Sequence, residues 1–207
     1  MNALGRPLLL ICLTLLSASQ AIAGDDIAGM WSSSSRTKGG LGPQWVFTKD
    51  GNVTNTFGAL VDFKYEVNGS QIKMLLLAPD GSVTKETVTQ EFSINGDTLT
   101  ENPQTPDRKQ IMKRIGKPYK DAHPIVGEWT YKHYTGGPAL MRYSRTGIVQ
   151  LSVPFQTLTG TYRTNRGTLT ITPNDKKPVS YKFKRERDSL VLTDEEGKES
   201  KFLRFEY

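Results

Sequence analysis

The sequence predicts an all-β protein that consists of two tandem antiparallel up-and-down barrels of eight strands each, after a signal peptide. Three observations lead to this prediction. A glycine stands two residues before a tryptophan in two similar modules, Ile27–Trp31 and Ile125–Trp129. Apolar and polar residues alternate in many short segments, and these segments are separated by pairs such as Asn-Gly and Asp-Gly, which favour tight hairpin turns. A repeat at such long spacing indicates two copies of one structural unit.

Residues 1–23 have the features of a secretory signal peptide. Arg6 precedes an apolar run from Leu8 to Leu16, and the small residues of Ala21–Ala23 predict cleavage after Ala23. The apolar run is too short to span a bilayer. The expected location is therefore the periplasm or the outside of the cell. Because the single cysteine, Cys12, lies in this segment, the mature chain has no thiol with which to form a disulfide.

The first copy, residues 24–115, reads as a series of strands joined by tight turns. Val61, Phe63, Tyr65 and Val67 alternate with polar residues, which is typical of a strand with one buried face. Turn residues between the segments tolerate positive φ and favour hairpins between neighbouring strands. The predicted strands lie near residues 28–33, 44–48, 53–57, 61–67, 70–77, 83–94, 98–101 and 108–115.

The second copy, residues 125–207, follows a linker, residues 116–124, that contains two prolines and lacks alternation. It repeats the spacing of the first copy and shows no helical periodicity. Its predicted strands lie near residues 126–134, 139–144, 148–153, 158–164, 168–172, 179–184, 189–193 and 198–205.

The number of strands predicts that each copy closes into a barrel. Eight short antiparallel strands in an open sheet would leave two exposed edges, which promote aggregation. Closure removes both edges. A barrel of about eight strands has an interior that side chains fill or that holds one small ligand, and the sequence leaves both outcomes open.

The Gly-x-Trp modules resemble the first-strand signature of lipocalins and related calycin barrels, in the small form found in bacterial exported proteins. In that family a basic side chain on the last strand packs across the tryptophan and closes the barrel floor. The last strand of the first copy offers Lys113 or Arg114 for this role. The resemblance implies a structural plug built from Gly29, Trp31, Arg114, Gly127, Trp129 and Arg204. The chain lacks the Thr-Asp-Tyr loop motif of the larger lipocalins and has no room for their C-terminal helix.

Aromatic and other large apolar side chains recur on one face of several predicted strands. If these faces point inward, they would line a site for a small hydrophobic or aromatic ligand, in which tyrosine hydroxyls orient the ligand. The same side chains would also make a solid core, so the two interpretations compete. The candidate ligand-binding residues are Trp45, Phe47, Phe63, Tyr65, Met141, Tyr143, Tyr162 and Tyr181.

The sequence offers little for catalysis. Its two histidines, His123 and His133, lie in the linker and near a strand end, and no cluster of histidine and cysteine predicts a metal site. We therefore expect a binding protein that is not an enzyme and uses neither a cofactor nor a metal.

The charge of the chain is uneven and suggests partners. Residues 24–115 contain 10 Lys and Arg against 11 Asp and Glu, a net charge of −1, and residues 116–207 contain 16 against 10, a net charge of +6. Such a basic half is consistent with a solvated face that keeps the protein soluble, or with an acidic protein or an anionic membrane surface as partner, and an exported protein rarely meets nucleic acid. The alternative function is therefore a protein-interaction module, of the inhibitor or immunity type, that acts on an exported enzyme or an envelope partner through its surface loops and basic second half.

Overall fold

The structure, a computed structural model, describes residues 26–78 and 81–207, and most of these residues lie in β-strands. The all-β prediction is confirmed. Within the described ranges the only helix is the 3-10 turn Pro106–Arg108, so none of the helices there has the length or apolar character needed to cross a membrane. The predicted signal peptide, residues 1–23, lies outside the described residues.

The first half of the chain forms strands β1 to β7, which run up to the predicted linker. Their bounds are β1 Gly29–Ser33, β2 Leu41–Phe47, β3 Asn52–Asn68, β4 Gln71–Leu77, β5 Val83–Asn95, β6 Thr98–Glu101 and β7 Gln110–Ile115.

The second half forms strands β8 to β14. Their bounds are β8 Gly127–Lys132, β9 Pro138–Tyr143, β10 Ile148–Asn165, β11 Thr168–Pro173, β12 Val179–Arg185, β13 Ser189–Thr193 and β14 Glu199–Phe205.

The strands form one large antiparallel sheet whose two ends meet, because β1 pairs with both β2 and β14. Strand β3 also pairs with β10 along most of its length. This extra pairing divides the sheet into two closed circuits of hydrogen-bonded strands. The first circuit contains β1, β2, β3, β10, β11, β12, β13 and β14, and the second circuit contains β3, β4, β5, β6, β7, β8, β9 and β10.

Each circuit takes strands from both sequence copies. The pairing of β1 with β14 joins the start of the first copy to the end of the second, and the predicted linker connects β7 to β8, which pair with each other. The pairing therefore crosses the predicted division into units 24–115 and 125–207. Two similar copies in one chain can exchange equivalent strands because each strand finds a matching neighbour in either copy.

Strands β3 and β10 are each longer than predicted. The sequence predicts two strands in each of these regions, separated near Gly58 and Pro154, and this prediction is wrong. The two residues face each other in the β3–β10 pairing, next to a register shift between Pro154 and Gln156. Glycine and proline here mark a close approach and a bulge, which interrupt the alternation without ending either strand.

Replacing Gly58 with alanine is expected to destabilise the protein. A Cβ atom at this position would overlap with the backbone carbonyl of Val153, and strand backbone cannot move aside without loss of pairing. We expect a loss of about 1–3 kcal/mol in the free energy of unfolding, measured by chemical denaturation. Gly137→Ala is the control, since a Cβ there meets nothing within 4 Å. Equal stability of the two variants would contradict the close approach.

The core has two parts, one inside each circuit, and a buried tryptophan lies in each. Trp31 packs with residues such as Phe47, Leu190 and Phe202, and Trp129 packs with a different set of residues, which form the second core. The indole Nε1 of Trp31 donates a hydrogen bond to the Ile27 carbonyl at 2.8 Å, and that of Trp129 donates to the Ile125 carbonyl at 2.7 Å. The second core contains Tyr65, Ile72, Met74, Phe92, Leu99, Met112, Ile125, Val126, Trp129, Met141, Tyr143 and Val149.

A network of polar side chains links β1 and β2 of the first circuit to the shared strands β3 and β10. The buried Oε1 atom of Gln150 accepts hydrogen bonds from Gln44 at 2.6 Å and from Ser32 at 3.3 Å, both on strands of the first circuit. Its Nε2 atom donates to Asp62 at 2.8 Å, and Asp62 forms an ion pair with Arg36 at 2.7 Å. Because these groups satisfy one another, the network fixes β1 and β2 of the first circuit against the shared strands.

Candidate functional site

The structure divides the eight predicted ligand-binding residues between the two circuits. Four of them, Trp45, Phe47, Tyr162 and Tyr181, lie in or against the core of the first circuit. The other four, Phe63, Tyr65, Met141 and Tyr143, lie in or against the core of the second circuit. They therefore belong to two interiors and do not form one site.

The predicted plug residues come together as two tryptophan–arginine pairs. The guanidinium of Arg114 lies 4.0 Å from the ring centre of Trp129, and that of Arg204 lies 5.6 Å from the ring centre of Trp31. Arg114 also donates hydrogen bonds to the carbonyls of Pro124 and Val126, at 2.6 and 3.1 Å. Each pair thus joins the first strand of one copy to the last strand of the other.

The backbone geometry explains why glycine occupies the first position of both Gly-x-Trp modules. Gly29 has φ of 142° and Gly127 has φ of 133°, a conformation that L side chains rarely adopt. A Cβ on Gly127 would lie 3.1 Å from Nη1 of Arg114, and one on Gly29 would lie 3.5 Å from the Arg204 guanidinium. The backbone conformation therefore favours glycine at both positions, and at Gly127 the missing Cβ also leaves room for the arginine that covers the tryptophan.

The second circuit contains a buried carboxyl group among its aromatic side chains. Glu101 ends β6, where Leu99 and Glu101 point inward and Thr98 and Thr100 are more exposed. Only 7% of Glu101 is exposed. The hydroxyl of the fully buried Tyr143 donates a hydrogen bond to its Oε1 atom at 3.0 Å. A carboxyl group and a phenol thus form a polar pair inside an otherwise apolar core.

Three further side chains surround this pair. The ring of Tyr65 packs edge-on against Tyr143 at 5.2 Å, and its hydroxyl donates to the Ser144 carbonyl at 2.7 Å. Tyr131 is close enough to Glu101 for the carboxylate charge to raise the tyrosine pKa, in addition to the larger effect of burial. Gln90 lies beside the carboxyl group, and its buried Nε2 atom makes no well-formed hydrogen bond within the described part of the chain.

Burial controls the proton affinity of the pair. Desolvation raises the pKa of Glu101, and the hydrogen bond from Tyr143 and the side chain of Gln90 act in the opposite direction. The pKa of Tyr143 is raised well above its ordinary value, first by burial and then by the neighbouring Glu101 charge. Tyr143 therefore stays protonated and acts as a hydrogen-bond donor.

The first circuit lacks the polar pair at the equivalent positions. Glu101 is paired across the sheet with Phe92 and Gln110, and Leu192 is paired in the same way with Phe183 and Ser200. Phe47 occupies the place of Tyr143 at the end of the second strand of its copy. Both members of the polar pair thus have apolar counterparts in the first circuit, so this arrangement of strands does not need the carboxyl group for its packing.

Sequence reasoning identified Tyr143 and Tyr65 but missed Glu101, Gln90 and Tyr131. The signal for Glu101 was present in the alternation of Thr98–Glu101, which places residues 99 and 101 on the same face. Residues typical of turns follow Glu101, so the simpler interpretation places it at the end of a strand and exposed to solvent. The signal for Gln90 was weaker, since β5 has many polar residues on both faces.

The surface offers less specific chemistry. A cleft of about 270 Å³ between the circuits is lined by Arg36, Asp62 and Gln150, which already bond one another. In the ranges that the structure describes, no three His, Cys, Asp or Glu side chains form a group that could hold a metal ion. A scan against protein-family models, a search of the curated proteins and a search of the solved structures each found no match.

Proposed function

We propose that this chain is an exported, non-enzymatic binding protein, with two small lipocalin-like barrels that correspond to the two circuits, and that the second circuit holds a small hydrophobic or aromatic ligand. One observation carries the proposal: the second circuit has the buried Glu101–Tyr143 pair, and the first has Leu192 and Phe47 instead. A buried carboxyl group generally destabilises a protein. Because the packing does not require the carboxyl group of Glu101, its presence favours a functional role.

Part of the inner face of the second circuit is exposed to solvent. Val88 faces Met74 across the β4–β5 pairing and so shares its side of the sheet. Met74 is buried, whereas Val88 is 45% exposed. Phe63, Leu151 and Tyr131 are only partly buried against the same core. These side chains support an opening at the end of the circuit opposite the Trp129 plug, through which an apolar molecule would reach Glu101.

The proposed export rests on the composition of the first residues. An apolar run flanked by Arg6 and by the small residues of Ala21–Ala23 is typical of a cleaved secretory signal. Mass spectrometry of the protein purified from its own host is expected to give a mature chain that begins at Gly24. An uncleaved N-terminus would contradict this location.

A matched pair of substitutions tests where the ligand binds. Val88 and Val179 stand four residues before Phe92 and Phe183, and they are 45% and 42% exposed. We expect the neutral fluorescent probe N-phenyl-1-naphthylamine to bind saturably with a stoichiometry of about one per chain. Val88→Trp should block the opening and abolish this binding, and Val179→Trp should leave it unchanged.

The reverse result would place the ligand in the first circuit, and no saturable binding to the wild-type protein would refute the proposal. Thermal denaturation of both variants shows whether each is folded. Because Val88 and Val179 are similarly exposed, a loss of binding from general instability should affect both variants.

A second candidate function, a protein-interaction module, is favoured by exposed apolar side chains near the β10 bulge. Phe155, Leu158 and Phe57 are 59%, 43% and 38% exposed on the two long paired strands. If this function is correct, one protein from an envelope extract should bind in stoichiometric amount, and Phe155→Ser with Leu158→Ser should prevent its binding. Arg187→Glu tests the basic surface instead, since Arg187 is 95% exposed.

A further inference from the structure

We infer that the ligand of the second circuit carries a protonated amine, or a similar compact cationic group on an apolar body, and that this cation pairs with Glu101. The inference rests on the proposed binding function and adds the chemical class of the ligand. It depends on which groups face the carboxyl group, which groups are missing around it, and which rings lie nearby.

The polar neighbours of Glu101 favour its charged form. The Tyr143 hydroxyl donates its proton to Oε1 at 3.0 Å, which is the hydrogen bond that a carboxylate accepts. The Gln90 side chain acts in the same direction on the carboxyl pKa. An acid that is meant to stay neutral would instead need an acceptor for its own proton. The polar groups are therefore placed to receive a carboxylate, while burial, the larger effect, raises its pKa, and a bound cation would offset that effect.

The positive charge that would balance this carboxylate is missing from the described residues. None of the ion pairs in residues 26–78 and 81–207 involves Glu101, and no lysine, arginine or histidine affects its pKa. A buried carboxylate without a counter-ion is unfavourable, because the loss of hydration is not offset. A bound ammonium group would supply this missing counter-ion.

The rings around the carboxyl group suit an organic cation. Phe92 is the cross-strand neighbour of Glu101, and Tyr131 and Tyr65 belong to the same aromatic interior. The faces of aromatic rings attract ammonium groups, most strongly where water is excluded. A metal ion is disfavoured because a single carboxylate provides too few ligands. An anionic ligand would be repelled by Glu101.

The test compares two probes that differ in one group. Tryptamine carries an ammonium at neutral pH, and tryptophol has a neutral hydroxyl on the same indole ethyl frame. Isothermal titration at pH 7.5 is expected to show tryptamine bound about tenfold more tightly than tryptophol, the ratio that one charge-assisted contact typically gives. In Glu101→Gln the ratio should fall to about one. Glu91→Gln is the control, since Glu91 is an exposed carboxylate on β5 next to Gln90.

Each outcome decides between the inference and the proposed function. If tryptamine and tryptophol bind equally well, if neither binds although N-phenyl-1-naphthylamine does, or if Glu101→Gln keeps the preference for the amine, the inference is wrong and the binding function stands. If neither probe binds and N-phenyl-1-naphthylamine does not bind either, the proposed function fails and the inference fails with it. If Glu101→Gln does not fold, the comparison is made with the Glu101→Leu, Tyr143→Phe double variant, which repeats the residues of the first circuit.

Discussion

Replacing Trp129 with alanine is expected to lower the free energy of unfolding by about 3–5 kcal/mol, the range for loss of a buried aromatic side chain. The indole is fully buried, donates to the Ile125 carbonyl, and lies beneath the guanidinium of Arg114. Its loss would leave a cavity and remove the ring from under a buried cation. Arg114 is held by two backbone carbonyls and cannot follow into the space.

The same change at Trp31 tests how the circuits depend on each other. Because β3 and β10 belong to both circuits, we expect Trp31→Ala and Trp129→Ala each to shift one single unfolding transition. Calorimetry and tyrosine fluorescence should then give the same midpoint. Trp45→Ala is the control, since Trp45 is only partly buried. Two separate transitions, with only one of them moved by each variant, would contradict the shared strands.

The Gly-x-Trp modules predicted much of this architecture. Glycine two residues before tryptophan marked the two strands that carry the buried indoles, and the structure places Arg114 and Arg204, from the last strand of each copy, over the two rings. The glycine–tryptophan spacing can be read from the sequence because it is local: one glycine conformation and one ring two residues later. Hydrophobic alternation succeeded for the same reason, since it depends only on neighbouring residues.

The exchange of strands between copies could not be read from the sequence. Trp31 pairs with Arg204 of the second copy, and Trp129 pairs with Arg114 of the first. Both copies carry the same signals, so pairing within a copy and pairing between copies satisfy the same local rules. In the structure β3 and β10 continue through Gly58 and Pro154 and pair with each other. Glycine and proline more often end strands, so their role became visible only in the pairing.

The candidate site was only half predictable. Large aromatic residues reveal an interior from their spacing, and this identified Tyr65 and Tyr143. A glutamate near a predicted turn does not indicate an interior position, because most such carboxylates are solvated. Comparing the two copies position by position would have shown that Glu101 stands where Leu192 stands in the other copy.

The double substitution Glu101→Leu with Tyr143→Phe is expected to stabilise the protein at neutral pH. It gives the second circuit the apolar pair that the first circuit already contains, with side chains of similar volume. Replacing buried polar partners by apolar groups of the same shape removes a desolvation cost, and we expect a gain of about 1–4 kcal/mol in the free energy of unfolding. Each single substitution should give a lower free energy of unfolding than the double substitution, because it leaves the remaining partner buried without its hydrogen bond.

The stability gain of the double variant should increase with pH. Burial raises the pKa of Glu101 in the folded protein above the unfolded value, so protonation favours the folded state. Its contribution to stability is fully present below the unfolded pKa and is lost as pH rises through the folded pKa. The advantage of the double variant over the wild type should therefore grow from pH 4 towards pH 8 in urea denaturation. An advantage that stays constant or shrinks over this range would mean that Glu101 is not the buried, desolvated carboxyl group that the site requires.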